Sequence, residues 1–306
     1  MLMPQYSSIY YINDDLEHIA MATNNLLTGT KGSDWTGLAE KLAERSGNPS
    51  TAAIASLLAE TNAHLPFSQA TGILDNGCGP GSVMTSVLDT HGADLPKDCP
   101  LTCSDFSEGM IQQVNNTKDK RVAEGAQHWS RLTTIVSNAM DMATIPSRSC
   151  SHILAGWVYF MTPDPQKCLA ESHRMLSADG VLGLSSWENS EWLEVMRTLT
   201  TVFPDRAIPE LPKEWSSTSA VKVEIEKAGF VDVKSNPITV HMGYETHGDL
   251  VRFLLKTMPP MVAAMKGLDE ADFKKVELAM IERCKVFNSE EPGRLSGNAI
   301  VAVGRK

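Results

Sequence analysis

The stretch Ile73-Leu74-Asp75-Asn76-Gly77-Cys78-Gly79-Pro80-Gly81 constrains the fold of this chain more than any other. Two apolar residues run into an aspartate, and glycines follow at 77, 79 and 81. An apolar helical pattern then begins at Val83, Val87 and Leu88. That order reads as a buried strand, a tight turn and the start of a helix. Glycines so spaced let backbone approach a ligand with no Cβ in the way. The helix N-terminus beyond them favours a polar or anionic group. The spacing also excludes two relatives of this turn. A dinucleotide fingerprint needs G-x-G-x-x-G, whereas position 82 is Ser and the third glycine is Gly81. A phosphate loop needs a lysine beside its last glycine, and there is none between His64 and Lys97. The plain alternative is a glycine-rich turn that holds no ligand.

The rest of the chain supplies a sheet for that turn. From residue 71 short apolar strands alternate with amphipathic helices, the signature of a parallel α/β sheet. Strands are predicted at Gly72–Asn76, Leu101–Ser104, Leu132–Val136, His152–Ala155 and Gly180–Ser185. Ser107 should cap a helix that buries Met110, Ile111 and Val114. Asp164-Pro165 should open another that buries Cys168, Leu169 and Leu176 and ends near Gly180. Right-handed crossovers would bring the strand C-termini to one edge, where ligands bind in such sheets. Residues 1–70 read as helical. Asp34 caps a helix with Trp35, Leu38 and Leu42 on one face, stopped by Gly47, and Asn48-Pro49 opens one with Ile54, Leu57 and Leu58. Ahead of these, Tyr6, Tyr10 and Tyr11 make an aromatic-rich segment that either closes over a ligand or packs on the core.

After Trp187 the alternation breaks. A helix is predicted over Asn189–Phe203 with Trp192, Val195, Met196 and Leu199 on one face. A linker with Pro204, Pro209 and Pro212 leads to a helix at Ala220–Ala228 and a strand at Phe230–Lys234. Residues 246–289 are helical with a break at Pro259-Pro260, and Ala299–Val303 gives a last strand. The expected organisation is an N-terminal helical lid segment over 1–70, a core over 71–187 and a helical insertion over 188–220. The core continues over 221–243, a helical cap insertion covers 244–295, and 296–306 carry the last core strand.

Composition removes several function classes. The net charge is −10, and no basic block of five or more occurs, so a nucleic-acid backbone is not an expected partner. The six cysteines form no C-x-x-C pair and no cluster with histidine, so no metal site is expected and buried free thiols are. The first residues lack the basic and apolar regions of a signal peptide. No apolar run approaches the ~20 residues that span a bilayer. The expectation is a cytoplasmic protein without a membrane partner.

Two further motifs sit at the same sheet edge. Leu101-Thr102-Cys103-Ser104-Asp105-Phe106-Ser107 ends the second strand on an acid, 24 residues beyond Gly81. A carboxylate there can accept from both hydroxyls of a ribose, and Phe106 can lie against an adenine face. A capping aspartate beside a core phenylalanine is the plain alternative. After the fourth strand come Ala155, Trp157, Tyr159 and Phe160, and Trp187 follows the fifth.

Asp-x-Gly-x-Gly-x-Gly at a strand end resembles motif I of the class I S-adenosylmethionine-dependent methyltransferases, and the order of elements matches that family. The resemblance implies a Rossmann-like, seven-stranded sheet flanked by helices, its last strand antiparallel beside the sixth. The helical patterns of this chain add an N-terminal helical segment and helical cap insertions to that sheet. The resemblance also implies S-adenosyl-L-methionine as cofactor, leaving as S-adenosyl-L-homocysteine. Carried over residue by residue, Asp75, Gly77, Cys78, Gly79 and Gly81 face the methionine part. Asp105 and Phe106 hold the ribose and adenine, with Met110 behind them. In Asn138–Pro146, Asp141 takes the carboxylate role toward the adenine amino group and the Met142 N–H the role toward N1, beside Asn138. The Ala155 backbone meets the methionine end.

The motifs are most similar to small-molecule methyltransferases of filamentous-fungal secondary metabolism, the gliotoxin thiomethyltransferases among them. That similarity is good across the core and poor in residues 1–60 and 188–295. It implies methyl transfer to a heteroatom (O, S or N) of a small, partly apolar secondary metabolite. A cyclase that binds the same cofactor, or a non-catalytic regulatory protein on the same fold, is the alternative. Tyr10, Tyr11, Trp157, Tyr159, Phe160 and Trp187 are the expected acceptor contacts. A general base is needed only for an acceptor protonated at neutral pH. His241 and His247 are the candidates, each with a surface or packing role as alternative, and His152 reads as structural. The expected partner is a small-molecule acceptor, and the sequence carries no signal of oligomeric state.

Overall fold

The computed structural model of the chain describes residues 26–35, 38 and 50–306. Tyr6, Tyr10 and Tyr11, with most of the expected helix after Asp34, lie outside the described residues. Seven strands form one sheet: β1 (Ile73–Asn76), β2 (Leu101–Asp105), β3 (Leu132–Val136), β4 (Cys150–Gly156), β5 (Leu176–Ser190), β6 (Val231–Tyr244) and β7 (Gly293–Arg305). Their order is β3-β2-β1-β4-β5-β7-β6. The first five are parallel, and β7 enters antiparallel between β5 and β6. Strand order reverses between β1 and β4, which makes the C-terminal ends of these two strands the place for a ligand crevice. The expected Rossmann-like sheet is present.

The helices are α1 (Ser50–His64), α2 (Ser82–His91), α3 (Glu108–Ala123), α4 (Pro165–Met175), α5 (Glu191–Val202) and α6 (Thr218–Lys227). Three more follow: α7 (His247–Thr257), α8 (Pro259–Met265) and α9 (Glu270–Phe287). Several begin where short polar side chains satisfy their orphan amides. Ser107, Asp164, Ser190, Ser217, Thr246 and Asp269 each accept from a backbone N–H in the first turn of the helix they precede. The helices cover both faces. One core lies between the sheet and α1, α2 and α3, and runs on into the group α5, α7, α8 and α9. The other lies under α4 and α6. Cys168 and Leu169 of α4 and Val221 and Ile225 of α6 are fully buried there, each apolar side chain contributing about 1.5–3 kcal/mol.

Three elements differ from expectation. The α4 helix stops at Met175, and Leu176 already opens β5 opposite Cys150. Strand β6 runs to Tyr244, well beyond Lys234, and includes Pro237 opposite Ile300. As an edge strand it tolerates a residue without an N–H, and its solvent side needs no apolar alternation. Strand β7 begins at Gly293, ahead of Ala299, because it pairs along the whole of that extension. Together β5, β6 and β7 reach past the end of β4, and α5 meets this overhang through Trp192, while its Val195, Met196 and Leu199 are buried in the same core. All six cysteines are buried free thiols. No helix among the described residues is long and apolar enough to cross a membrane.

Candidate active site

The glycine turn after β1 is held from below by β2. The Gly77 and Cys78 amides both donate to the Ser104 carbonyl, at 2.8 and 2.9 Å. Gly77, Gly79 and Gly81 all have positive φ, at 74°, 54° and 89°. That left-handed region costs other residues roughly 1–2 kcal/mol. The surroundings of the three differ. A Cβ on Gly77 would lie 2.4 Å from Val158 Cγ2 and one on Gly81 3.0 Å from Val114 Cγ2, whereas one on Gly79 would meet nothing within 4 Å. The turn is therefore packed at its ends and open at its centre.

Two carboxylates flank this opening. Asp75 is fully buried, and its Oδ2 accepts from the Met84 amide at 3.0 Å, tying β1 to the first turn of α2. Its Oδ1 has no hydrogen-bond partner among the described residues. Burial, opposed by the Met84 hydrogen bond and reinforced by the nearby Asp105 charge, pushes the Asp75 carboxyl up to about 7. Asp105 ends β2 and accepts from Gly79 N at 2.9 Å and Ser107 N at 2.9 Å, one on each oxygen. Burial raises its carboxyl above the ordinary range, while the amides of Ser107, Gly79 and Phe106 pull it back. Each Asp105 oxygen can accept further, so the acid can take a diol without giving up the turn. Phe106 beside it is 45% exposed. Gly32, in the described N-terminal piece, packs so close to Phe106 that a Cβ there would lie 2.4 Å from the Phe106 carbonyl oxygen. Met110 is buried on the inner face of α3, and Cys78 is buried with its thiol pushed well above its usual range.

The loop after β3 is placed differently from the reading above. Ser137 N donates to the Asp105 carbonyl at 2.9 Å, which places Asn138 next to the end of β2. A tight turn follows, with Asp141 N on Asn138 O at 2.8 Å and Met140 N on Asn138 Oδ1 at 3.0 Å. Met142 is fully buried, and its N–H donates to Glu171 Oε2 at 2.8 Å. That amide is the one the resemblance assigned to the adenine, and here it is engaged within the protein. Glu171 is in turn paired with Arg174 at 2.8 Å, and Arg174 also binds the carbonyls of Met142 and Ile145. The pairing with Arg174 holds the Glu171 carboxyl below its usual range. Glu171 and Arg174 of α4 were not singled out from sequence. Their i, i+3 spacing is common on any helix and says nothing of the loop they clamp.

At the end of β4, Ala155 is buried and Trp157 follows with a positive φ of 55°. Its amide donates to Ser185 Oγ at 3.1 Å. Trp157 stacks on Trp187 at a centroid distance of 5.4 Å, and Trp192 meets Trp187 edge-on at 5.2 Å. Tyr159 and Phe160, expected at the acceptor border, are both buried in the core under α4. Tyr159 is held there by polar contacts. Ser104 Oγ donates to Asn76 Oδ1 at 3.1 Å, Asn76 Nδ2 to the Tyr159 hydroxyl at 3.1 Å, and Tyr159 bonds Ser172 Oγ at 2.5 Å. Because Ser172 Oγ donates to Cys168 O at 2.8 Å, Tyr159 is the donor in that last pair.

Neither candidate base stands free at the crevice. His241 lies within β6, exposed, opposite Ser296 and 3.2 Å from its Oγ. His247 is buried at the start of α7, with Nδ1 2.5 Å from Glu291 Oε1 and Nε2 2.7 Å from the Asn288 carbonyl. It pins the start of α7 to the loop after α9. His152 bridges Ser151 and the Leu65 carbonyl within the core. Among the described residues no group of three His, Cys, Asp or Glu is arranged to hold a metal ion.

The residues present fit S-adenosylmethionine. The face at Gly79 is open, Asp105 has unused acceptor capacity beside it, Phe106 is exposed, and Asp75 Oδ1 is an unpartnered buried acceptor.

Comparison with known proteins agrees with this geometry. Residues 74–184 match the methyltransferase domain family. The chain is 36% identical over 282 residues to the methyltransferase ucsB of an Acremonium species, covering 92% of this chain and 98% of that protein. It is 29% identical over 246 residues to the methyltransferase tpcH of Aspergillus fumigatus, covering 76% and 84%. It is 26% identical over 206 residues to the acetylaranotin bis-thiomethyltransferase of Aspergillus terreus, covering 65% and 67%. Among solved structures, the YcgJ protein of Bacillus subtilis superposes with a TM-score of 0.53 at 15% identity, over 82% of this chain and 98% of its own.

Proposed function

Starting from the chain's membership of the class I S-adenosylmethionine-dependent methyltransferases, close to those of fungal secondary metabolism, we propose that it methylates a heteroatom of a small, partly apolar metabolite. The observation that carries the reading is the arrangement at the end of β2. Asp105 is bonded to the amide of Gly79, the one glycine of the turn whose missing Cβ leaves open space. When bound, S-adenosylmethionine supplies a methyl group on a sulfonium, an already good leaving group. Asp105 accepts from the ribose hydroxyls, and the open face at Gly79 admits the methionine part. Asn138, beside Asp105, serves the adenine edge in place of the Met142 amide, which Glu171 occupies.

The protein's own contribution to rate is alignment of the acceptor atom with the methyl carbon and exclusion of water. Proximity and orientation are worth roughly 7–11 kcal/mol. His241 and His247 are engaged in the β6–β7 pairing and in the α7 anchor, so the reading favours an acceptor that reaches its nucleophilic form without a protein base. A thiol titrating near about 8.5 or an acidic phenol meets that condition.

The test is calorimetric titration of wild type and Asp105→Ala with S-adenosylmethionine and S-adenosylhomocysteine, followed by incubation with methyl-labelled cofactor and a metabolite extract. Wild type should bind both and put label into product. No binding by wild type would refute the reading. Binding with an unlabelled, rearranged product would point to cyclisation, and binding with no product to a regulatory protein.

A further inference from the structure

The three tryptophans at the end of the sheet carry more than a lining role. Trp157 sits one residue before Val158, whose side chain packs against the α-carbon of Gly77 in the cofactor turn. Its backbone is in the left-handed region, where a bulky residue is a genuine outlier, and the Ser185 hydroxyl holds it there. Strain of this kind, of order 1–3 kcal/mol, persists only when the surroundings enforce it. The Trp157 ring lies against a neighbour: Trp157 and Trp187 stack at 29° between planes. Trp187 is held in turn by Trp192, edge-on at 84°. Trp192 itself is buried against Gly297 of β7, where a Cβ would come within 2.6 Å of its ring.

Trp157 Nε1 is buried and has no hydrogen-bond acceptor among the described residues. An indole N–H left without a partner costs roughly 1–3 kcal/mol, which a ligand oxygen would recover on binding. Beside it lies the half-buried stacked pair, a surface that favours a flat ring over a puckered one.

We propose that Trp157 and Trp187 form the acceptor subsite and select a planar, conjugated metabolite bearing a carbonyl-type oxygen, which accepts from the Trp157 indole N–H. The proposal rests on the methyl-transfer reading above. It makes Trp157 a specificity residue: a site with a buried donor discriminates against a ligand that cannot accept from it.

The experiment saturates the full-length protein with S-adenosylhomocysteine and titrates three probes calorimetrically: 6-acetyl-2-naphthol, 6-ethyl-2-naphthol and decahydro-2-naphthol. Wild type should bind the acetyl probe at least about tenfold more tightly than the ethyl probe, and the saturated alcohol weakest. In Trp157→Phe, which keeps a flat ring without the donor, the acetyl preference should fall to within about twofold while S-adenosylhomocysteine affinity stays within about twofold. Trp187→Leu should bring both planar probes down toward the saturated one. Near-ultraviolet circular dichroism of each variant checks that the fold is kept. The proposal is overturned if Trp157→Phe keeps the acetyl preference, if the saturated alcohol binds as well as the planar probes, or if none of the three binds wild type. A loss of cofactor affinity in Trp157→Phe with the preference intact would also overturn it, by assigning the donor to the cofactor. Failure of wild type to bind S-adenosylhomocysteine would instead sink the methyl-transfer reading on which the proposal stands.

Discussion

The two halves of the crevice are built by different means. On the cofactor side, β1 and β2 end in turns whose working parts are mainly backbone amides, two carboxylates and missing Cβ atoms, all within residues 75–107. On the proposed acceptor side the parts are large side chains brought together from β4, β5 and α5, with β7 as backing. Backbone geometry can be met by only a few residue types at fixed spacing, so the first half is written as short motifs. Ring packing can be met by many combinations of distant residues, so the second half is not. The contrast explains why the methyl donor can be read from one turn while the acceptor has to be read from the fold.

Asp105→Ala should test the first half most severely. It removes a buried carboxylate that organises Gly79 and Ser107 and has capacity left for two hydroxyls. Charged hydrogen bonds are worth about 1.5–3 kcal/mol each, so cofactor affinity should fall at least about 100-fold by calorimetry. A loss below about fivefold would mean that the ribose is held elsewhere.

The glycines separate packing from ligand approach. Gly77→Ala must displace Val158 as well as take a left-handed φ, so it should lower stability by roughly 2–4 kcal/mol in urea denaturation. Gly79→Ala meets nothing in the protein and should cost only about 1–2 kcal/mol, yet it should weaken cofactor binding more than its stability loss explains. If Gly79→Ala bound cofactor like wild type, the open centre of the turn would not be where the ligand approaches.

Asp75 gives the same half a pH signature. Its carboxyl is raised from 3.8 to about 7, so the folded state keeps a proton that the unfolded chain releases. The stability this group contributes is fully present below about pH 3.8 and is lost as pH rises through about 7. Asp75→Asn keeps an acceptor for the Met84 amide and cannot ionise. The unfolding free energy of wild type relative to this variant should therefore drop between about pH 4 and pH 7–8 and then level off, by an amount on the order of a few kcal/mol. Parallel pH curves for the two proteins would show that Asp75 is not ionised against burial. Glu171, Glu277 and Glu291 are shifted the other way, but they are common to both proteins and cancel.

What was legible in the sequence follows the same division. Asp75, Gly79 and Asp105 could be named because strand ends, glycine spacing and one acid fix their places without knowledge of packing. Ser107 and Asp164 could be named as caps because capping chemistry is local. The roles of Met142, Tyr159 and Phe160 could not. Whether the Met142 amide is free depends on Glu171, which arrives on α4 only after folding. Only Val158 separates Tyr159 and Phe160 from Trp157, and the short helical turn at Tyr159–Met161 directs them into the core while Trp157 remains half-buried at the edge. The extension of β6 was hidden because an edge strand can hold Pro237 and polar residues that a central strand would reject.

The smallest expected effect bears on whether the acceptor half needs acid–base chemistry at all. His241 is exposed on an edge strand, its Nδ1 3.2 Å from Ser296 Oγ. Exposed surface changes of this kind stay within about 0.5 kcal/mol of wild type, so His241→Ala should leave the melting temperature nearly unchanged. Its kcat should remain within about twofold of wild type and show the same pH profile, because a positioned base contributes about 10²–10⁴-fold and would be missed at once. A loss of that size, with the lower limb of the profile abolished, would place a general base on β6. The overhang of the sheet would then be a catalytic element, and the division into a backbone-built donor half and a ring-built acceptor half would need a third part.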